Sequence, residues 1–394
     1  MQVPFPASIS LIFLLASLFL VACSSIPTIP VNAELYGERV KTNVDSTIAR
    51  YYLENYLAGN NNNMVMDKQI SSLYRQSSQF FPSREELKII SQKYSVDFAS
   101  LFLADSLLKD ECNKEINNYF LHHLNDKTTV NLDTSSYLVL FVPGWDYAEI
   151  GHLTGADFAK PRKLAAEFGL ENHLVALPPT GGVEENAEVL ATAISRHTGS
   201  GKKIILVGAS SAGPAIHLTL NNRFANKEKN NIKAWLNIGG ILQGSPVIDH
   251  YQTWPRRWFF NLVVWYKGWD KEAILSMSTN QSRKRFARLQ IDPDILVINY
   301  LGIPLSGQIS RYSRDNYPLL RPLGPNDGLT LLSDAIAPNS LTIVALGSDH
   351  FFAEDPRIDE KTVALMKVLI SYLENDLARN CDRTNHTTYD DEIL

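Results

Sequence analysis

The sequence predicts an α/β fold: a mostly parallel sheet with helices on both faces, a helical cap insertion and a helical N-terminal extension. Three observations predict it. From Tyr137 onward, short apolar runs alternate with helical stretches, the texture of βαβ units whose strands are covered on both sides. An aromatic-rich interval, about 246–294, interrupts that rhythm and reads as a cap above the strand ends. Before Tyr137, apolar residues fall at helical spacing. Composition permits such a core: the 394 residues are 45% hydrophobic, 10% aromatic and 20% charged, which excludes a disordered chain. A net charge of −5 provides no global basic field, so no nucleic-acid partner is expected. Three cysteines are too few for a dense disulfide scaffold or a Cys-rich zinc module.

The chain opens on an apolar stretch, Ile9 to Ala22, closed by Leu20-Val21-Ala22-Cys23 and Ser24-Ser25. It is shorter than the roughly 20 residues that span a bilayer and has the small-residue exit of a secretory signal. Leu-Val-Ala-Cys resembles the lipobox of bacterial lipoproteins, although no Lys or Arg precedes the apolar run. The resemblance implies a signal peptide over 1–22, lipidation of Cys23 and a membrane anchor. With Ser24 next, it implies the cell envelope, on the periplasmic face of the outer membrane. An ordinary cleaved signal or an uncleaved anchor are the alternatives. Cys112 and Cys381 then remain in an exported compartment, where they either close a disulfide or stay unpaired.

Residues 23–36 read as a Pro-containing tether, and 37–130 as a helical N-terminal region. Ile48, Tyr51, Tyr52, Tyr56 and Leu57 share one helical stripe. Leu87, Ile90, Tyr94, Phe98, Leu101 and Phe102 form another, preceded by a helix start at Ser83-Arg84-Glu85-Glu86. Gly59 and Asn60 to Asn63 make a loop. Strands are predicted at Tyr137–Val142, His173–Leu177, Lys203–Val207, Lys233–Ile238 and Ser340–Leu346, with helices at 157–168, 183–197 and 214–226. This second region runs over 131–380 and leaves 381–394 as a tail.

The third strand is followed by Gly208-Ala209-Ser210-Ser211-Ala212-Gly213. A serine at a sharp strand-to-helix turn projects its hydroxyl clear of the sheet, and small residues two before and two after permit the close crossing. Ser210 sits where the nucleophile belongs relative to the strand end; Ser211, with Ala209 and Gly213 at the same offsets, is its competitor. His350 lies just past the last predicted strand, where it can take the serine's proton. Asp327, in Asn326-Asp327-Gly328, precedes it by 23 residues and would orient it. Asp334 and Asp349 are fallback acids.

The order Ser, Asp, His is similar to that of the α/β-hydrolases, and Asn326-Asp327-Gly328-Leu329 to a segment of bacterial triacylglycerol lipases; the resemblance covers about 137–370. It implies an oxyanion-hole amide in the loop after the first core strand. Here that loop is Phe141-Val142-Pro143-Gly144-Trp145, with proline where the family often has histidine, so Trp145 and Ser211 are the implied backbone donors. Gly239-Gly240 and Gln243-Gly244-Ser245-Pro246 resemble the passage from strand to cap.

Within 251–290, Trp254, Trp258, Phe259, Phe260, Trp265, Tyr266 and Trp269 stand beside eight basic residues and two acids, a balance of +6. Two readings fit: a surface for a membrane or an anionic acyl substrate, or a lid whose aromatics pack on the core and whose charges are solvated. Thr198-Gly199-Ser200-Gly201-Lys202 precedes a strand instead of following one, and so fails as a phosphate loop. No metal-ligand spacing appears, and no cofactor is expected. The expected function is an exported, lipid-anchored serine hydrolase of carboxylic esters, an esterase or lipase acting on small-molecule or lipid esters. A thioesterase, amidase or peptidase, or a catalytically silent envelope binding protein, is the alternative.

Overall fold

The computed structural model describes residues 26–76, 81–125, 132–222, 231–375, 377 and 381. Cys23 and the apolar run before it lie outside these residues, as do 223–226 of the third predicted helix and 382–394 of the tail.

Where the sequence predicts a tether and then the start of a helical region, the chain forms a hairpin of β1 (Ile29–Leu35) and β2 (Glu38–Val44). Val31, Leu35, Val40 and Val44 give it one buried face. Tyr36 and Gly37, both at positive φ, make its two-residue turn. Pro30 is tolerated because β1 pairs on one side only. Five helices follow: α1 (Thr47–Tyr51), α2 (Met64–Gln76), α3 (Arg84–Lys93), α4 (Val96–Lys109) and α5 (Glu111–Asn125). Ser83 caps α3 as half of a capping box with Glu86.

The second region contains β3 (Tyr137–Val142), α6 (Tyr147–Thr154), α7 (Ala159–Glu167), β4 (Glu171–Leu174), α8 (Val183–His197), β5 (Lys203–Ala209), α9 (Ala212–Asn222) and β6 (Ile232–Ile238). The cap comprises α10 (Pro246–Gln252), α11 (Arg256–Lys267), α12 (Lys271–Leu275) and α13 (Thr279–Phe286). The chain returns through β7 (Leu296–Ile303), α14 (Tyr317–Leu320), β8 (Leu341–Leu346) and α15 (Ile358–Asn375). Six strands pair in the order β4-β3-β5-β6-β7-β8, all parallel.

The strands read as unbroken apolar runs because both faces are covered. Tyr137, Val139, Phe141, Ile205 and Val207 face α5, α7 and α15, while Leu138, Leu140, Ile204 and Leu206 face α8 and α9. β7 is a sixth strand beyond the five that the sequence predicts. Asn299 breaks its apolar run, and the structure satisfies that buried amide with Asn237, Ser340, Thr342 and the Ala337 amide.

The N-terminal helices are fused to this sheet. Phe98, Leu101 and Phe102 of α4 pack with the hairpin, while Leu103, Ala104, Leu107 and Leu108 pack on Leu301, Ile303 and Val344. α5 covers the free edge of β8. Asn113 Oδ1 accepts the Thr342 amide at 2.7 Å, and Asn117 Oδ1 accepts that of Val344 at 2.9 Å. Asn117 Nδ2 also donates to the Thr342 carbonyl at 2.8 Å. Between the two alternatives for the cysteines, the structure has a disulfide joining Cys112 on α5 to Cys381.

The cap departs from the lid reading. Trp254, Trp258, Phe259, Trp265 and Tyr266 are exposed rather than packed on the core. Two of its cations are not merely solvated either: Arg283 pairs with buried Asp334 at 3.1 Å and Arg285 with Glu184 at 2.9 Å.

Candidate active site

Ser210 follows β5 directly and has φ +56°, a left-handed conformation that costs a non-glycine residue energy and persists only where its surroundings enforce it. They do so here. Its amide donates to the Ile238 carbonyl at 3.1 Å, and its own carbonyl accepts from Gly213 at 3.0 Å and Ile241 at 3.2 Å. The crossing of β5 and α9 requires glycine. A Cβ on Gly208 would lie 2.2 Å from Ile216 Cδ1, and one on Gly213 would lie 2.9 Å from Gly240 Cα.

His350 is placed by the turn after β8. Its backbone amide donates to the Asp327 carbonyl at 2.9 Å, and its Nδ1 lies 2.8 Å from Asp327 Oδ2. With Nδ1–H donating to that carboxylate, Nε2 is left to accept from the Ser210 hydroxyl, 2.9 Å away. Asp327 and His350 are buried, whereas Ser210 is half-buried.

Asp327 is itself tightly held. Its Oδ1 accepts the amides of Leu329 (2.9 Å) and Thr330 (2.8 Å). Gly328, at φ +92°, turns the chain against Ser313, where a Cβ would stand 2.4 Å from Ser313 Cβ. Thr330 Oγ1 donates to Gly244, and Ser245 Oγ to Leu329, so the passage from β6 to the cap clamps the Asp327 loop. These clamping hydroxyls were beyond the sequence motifs; their only signal is the Gly-Ser-Pro that leaves β6. The fallback acids are engaged elsewhere. Asp349 accepts from the amides of Ser310 and Phe351, and Asp334 pairs with Arg84 and Arg283.

The loop after β3 passes beside the serine: a Cβ on Gly144 would be 3.5 Å from Ser210 Cβ. The Trp145 and Ser211 amides donate to no protein acceptor among the described residues. The Trp145 ring meets that of Trp269 edge-on at 6.2 Å, which brings the cap to the rim. Burial and the Glu149 carboxylate push the neighbouring Asp146 carboxyl upward. No cluster of metal-ligating side chains occurs among the described residues.

A serine hydroxyl hydrogen-bonded to an imidazole, itself held by a buried carboxylate, can form a nucleophile at neutral pH and store its proton nearby.

No protein-family model matches the chain, and no curated protein matches it in sequence. Among solved structures, a metagenomic carboxyl esterase superposes with a TM-score of 0.52 at 16% identity, covering 68% of this chain and 92% of the esterase. The propeptide form of a Bacillus licheniformis lipase superposes with a TM-score of 0.51 at 18% identity, covering 67% of this chain and 54% of that one. Taken with the six-stranded parallel sheet and its two helical layers, these likenesses show that the chain has the α/β-hydrolase fold.

Proposed function

We propose that the protein is a serine hydrolase of carboxylic esters. The observation that carries the reading is the run of hydrogen bonds Ser210–His350–Asp327 at 2.9 and 2.8 Å, with Ser210 on a strained turn. In this reading Ser210 Oγ attacks the ester carbonyl carbon as its proton passes to His350 Nε2. Asp327 stabilises the imidazolium, and the Trp145 and Ser211 amides hold the oxyanion. The tetrahedral adduct expels the alcohol, which leaves with the proton from His350. Water, deprotonated by His350, then attacks the acyl-serine; the acid departs and Ser210 recovers its proton. The carboxyl esterase and the lipase among the structural neighbours support esters over amides or thioesters.

The test uses p-nitrophenyl esters of short and long acyl chains. Ser210→Ala is expected to lower kcat on the order of 10⁴-fold or more, with Ser211→Ala retaining most of it. Loss confined to Ser211→Ala would move the nucleophile by one residue. No turnover and no fluorophosphonate labelling in a folded sample would favour the silent binding protein.

We further propose export and lipidation at Cys23, which would place the protein on the periplasmic face of the outer membrane of a Gram-negative cell. The lipobox-like Leu20-Val21-Ala22-Cys23 supports this. Cys23→Ala is expected to abolish palmitate incorporation; labelling that survives the substitution would refute it.

A further inference from the structure

Helix α11 lies across the cap with Val264 as its one buried residue. Phe260 and Val263 are half-buried. The outer side is apolar as well. Trp258, Leu262 and Trp265 recur at i, i+4 and i+7, flanked by Phe259 and Tyr266, and Trp254 precedes them by one turn. Trp254, Trp258, Trp265 and Tyr266 are 84%, 82%, 77% and 80% exposed. So many large aromatics on one outer face make a patch of the kind that marks an interaction surface.

The charges on the helix select the occupant. Arg256, Arg257 and Lys267 bracket the aromatic stripe, and the helix contains no acid. Lys267 pairs with Glu149 at 3.1 Å, whereas Arg256 and Arg257 have no carboxylate partner among the described residues. An isologous contact with a second copy would face this surface with itself, apposing arginines with nothing acidic on the helix to meet them. A membrane interface suits both halves: tryptophan and tyrosine settle at the headgroup level, and arginines meet anionic phosphates. The patch also continues to the rim of the site. The Lys267–Glu149 pair joins α11 to α6, where Ile150 and Leu153 are exposed, and Trp269 just after α11 meets Trp145 of the loop beside Ser210.

We propose that α11 docks the protein onto an anionic phospholipid bilayer, lying in the interface with its outer aromatics among the acyl chains and Arg256 and Arg257 at the phosphates. The docking stands independently of the ester reading. If that reading holds, the bilayer lies on the side of the Trp145 loop, which passes beside Ser210.

The test uses the full chain with vesicles of phosphatidylcholine and phosphatidylglycerol whose acyl chains carry bromine, a contact quencher of tryptophan. An N-terminal anchor could hold any variant on the vesicle, so quenching is read and not sedimentation. The native chain is expected to show blue-shifted, quenched emission. Trp258→Ala/Leu262→Ala/Trp265→Ala should lose most of the quenching, including that of the remaining Trp254. Arg256→Gln/Arg257→Gln should need roughly 25-fold more anionic lipid for half-maximal quenching, about fivefold per arginine. Unquenched emission in the native chain would overturn the proposal, as would equal quenching on purely zwitterionic vesicles. Shielding of Trp254, Trp258 and Trp265 from an aqueous quencher without vesicles, read against Trp258→Ala/Leu262→Ala/Trp265→Ala because buried Trp235 emits to the blue in every sample, would overturn it too: reversal on dilution would assign the face to a second copy, and persistence to the chain's own N-terminal segment. Hydrolysis of a soluble short-chain ester and thermal melts run beside it. Absent turnover with intact quenching would sink the ester reading alone.

Discussion

At the scale of single residues, Asp327 does two separable jobs. Oδ2 holds His350, and Oδ1 accepts two loop amides. Asp327→Asn can keep the second with its carbonyl oxygen, but it presents an NH₂ group to His350 Nδ1 and so favours the wrong tautomer. It should lower kcat by about 10³–10⁴-fold with little change in Tm. Asp327→Ala should also lower stability, because buried amides that lose an acceptor cost about 1–3 kcal/mol each. Measuring kcat and Tm for both variants separates the two jobs; equal Tm losses would refute the division. The chain order Ser, Asp, His was readable because each residue follows a strand or turn signal. Ser210 could be preferred over Ser211 by counting from the strand end. Its positive φ and the two free amides arise from backbone paths meeting in space, which residue types do not record.

At the scale of elements, strands were legible where both faces are apolar. β3 runs over Tyr137–Val142, as its composition predicts. β7 was hidden because Asn299 sits in the middle of its run, and β1 because Pro30 and short polar residues disguise its alternation. The closure of β8 was illegible for the same kind of reason. Asn113 and Asn117 look like ordinary helix polars, yet they serve as the missing neighbour of an edge strand. Asn117→Leu should cost about 2–4 kcal/mol by orphaning the Val344 amide and the Thr342 carbonyl, measured by urea unfolding; a change below 0.5 kcal/mol would show that water replaces the amide.

Two buried groups pull stability in opposite directions with pH. Asp97, beside Asp45 at the joint between the hairpin and α4, is pushed up to about 7 by burial and by that carboxylate. The folded state therefore holds its proton between about pH 4 and 7 while the unfolded chain does not, and this group's contribution declines as pH rises through that window. His217, pressed between Trp235 and Phe286, is lowered to about 3 by burial and by Arg285. It is neutral when folded but protonated when unfolded below about pH 6.5, so its contribution rises with pH over about 3 to 6.5. Asp97→Asn removes the first trend. Its stability should climb more steeply than the native protein's between pH 4 and 6.5, as read from unfolding midpoints across pH; parallel profiles would contradict the assignment.

At the scale of the molecule, the N-terminal region is part of the same packed body as the parallel sheet. Arg84 at the start of α3 and Arg283 in the cap meet on the buried carboxylate of Asp334, at 2.7 and 3.1 Å. Three parts of the chain far apart in sequence are thus joined at one anion, and no local pattern announces it. The disulfide acts at the same scale. Cys112 and Cys381 are 269 residues apart, and closing so long a loop restricts the unfolded chain by about 5.5 kcal/mol in the chain-entropy account. Cys112→Ser/Cys381→Ser should lower Tm by roughly 6 °C, followed by calorimetry; an unchanged Tm would mean that residual structure already confines the unfolded ensemble.

The same bond turns most of the protein into a covalent ring. Ser210, Asp327, His350 and the whole cap lie within the 112–381 circle, while the hairpin and α1 to α4 lie outside it. A peptidase that cuts the exposed chain at Arg256 or Arg257 opens the circle without dividing the molecule. The two pieces would run as one band on a non-reducing gel and as two after dithiothreitol, so a nicked protein keeps its parts together. A cut between Lys109 and Cys112 leaves the N-terminal region attached by packing alone, free to leave once that packing fails.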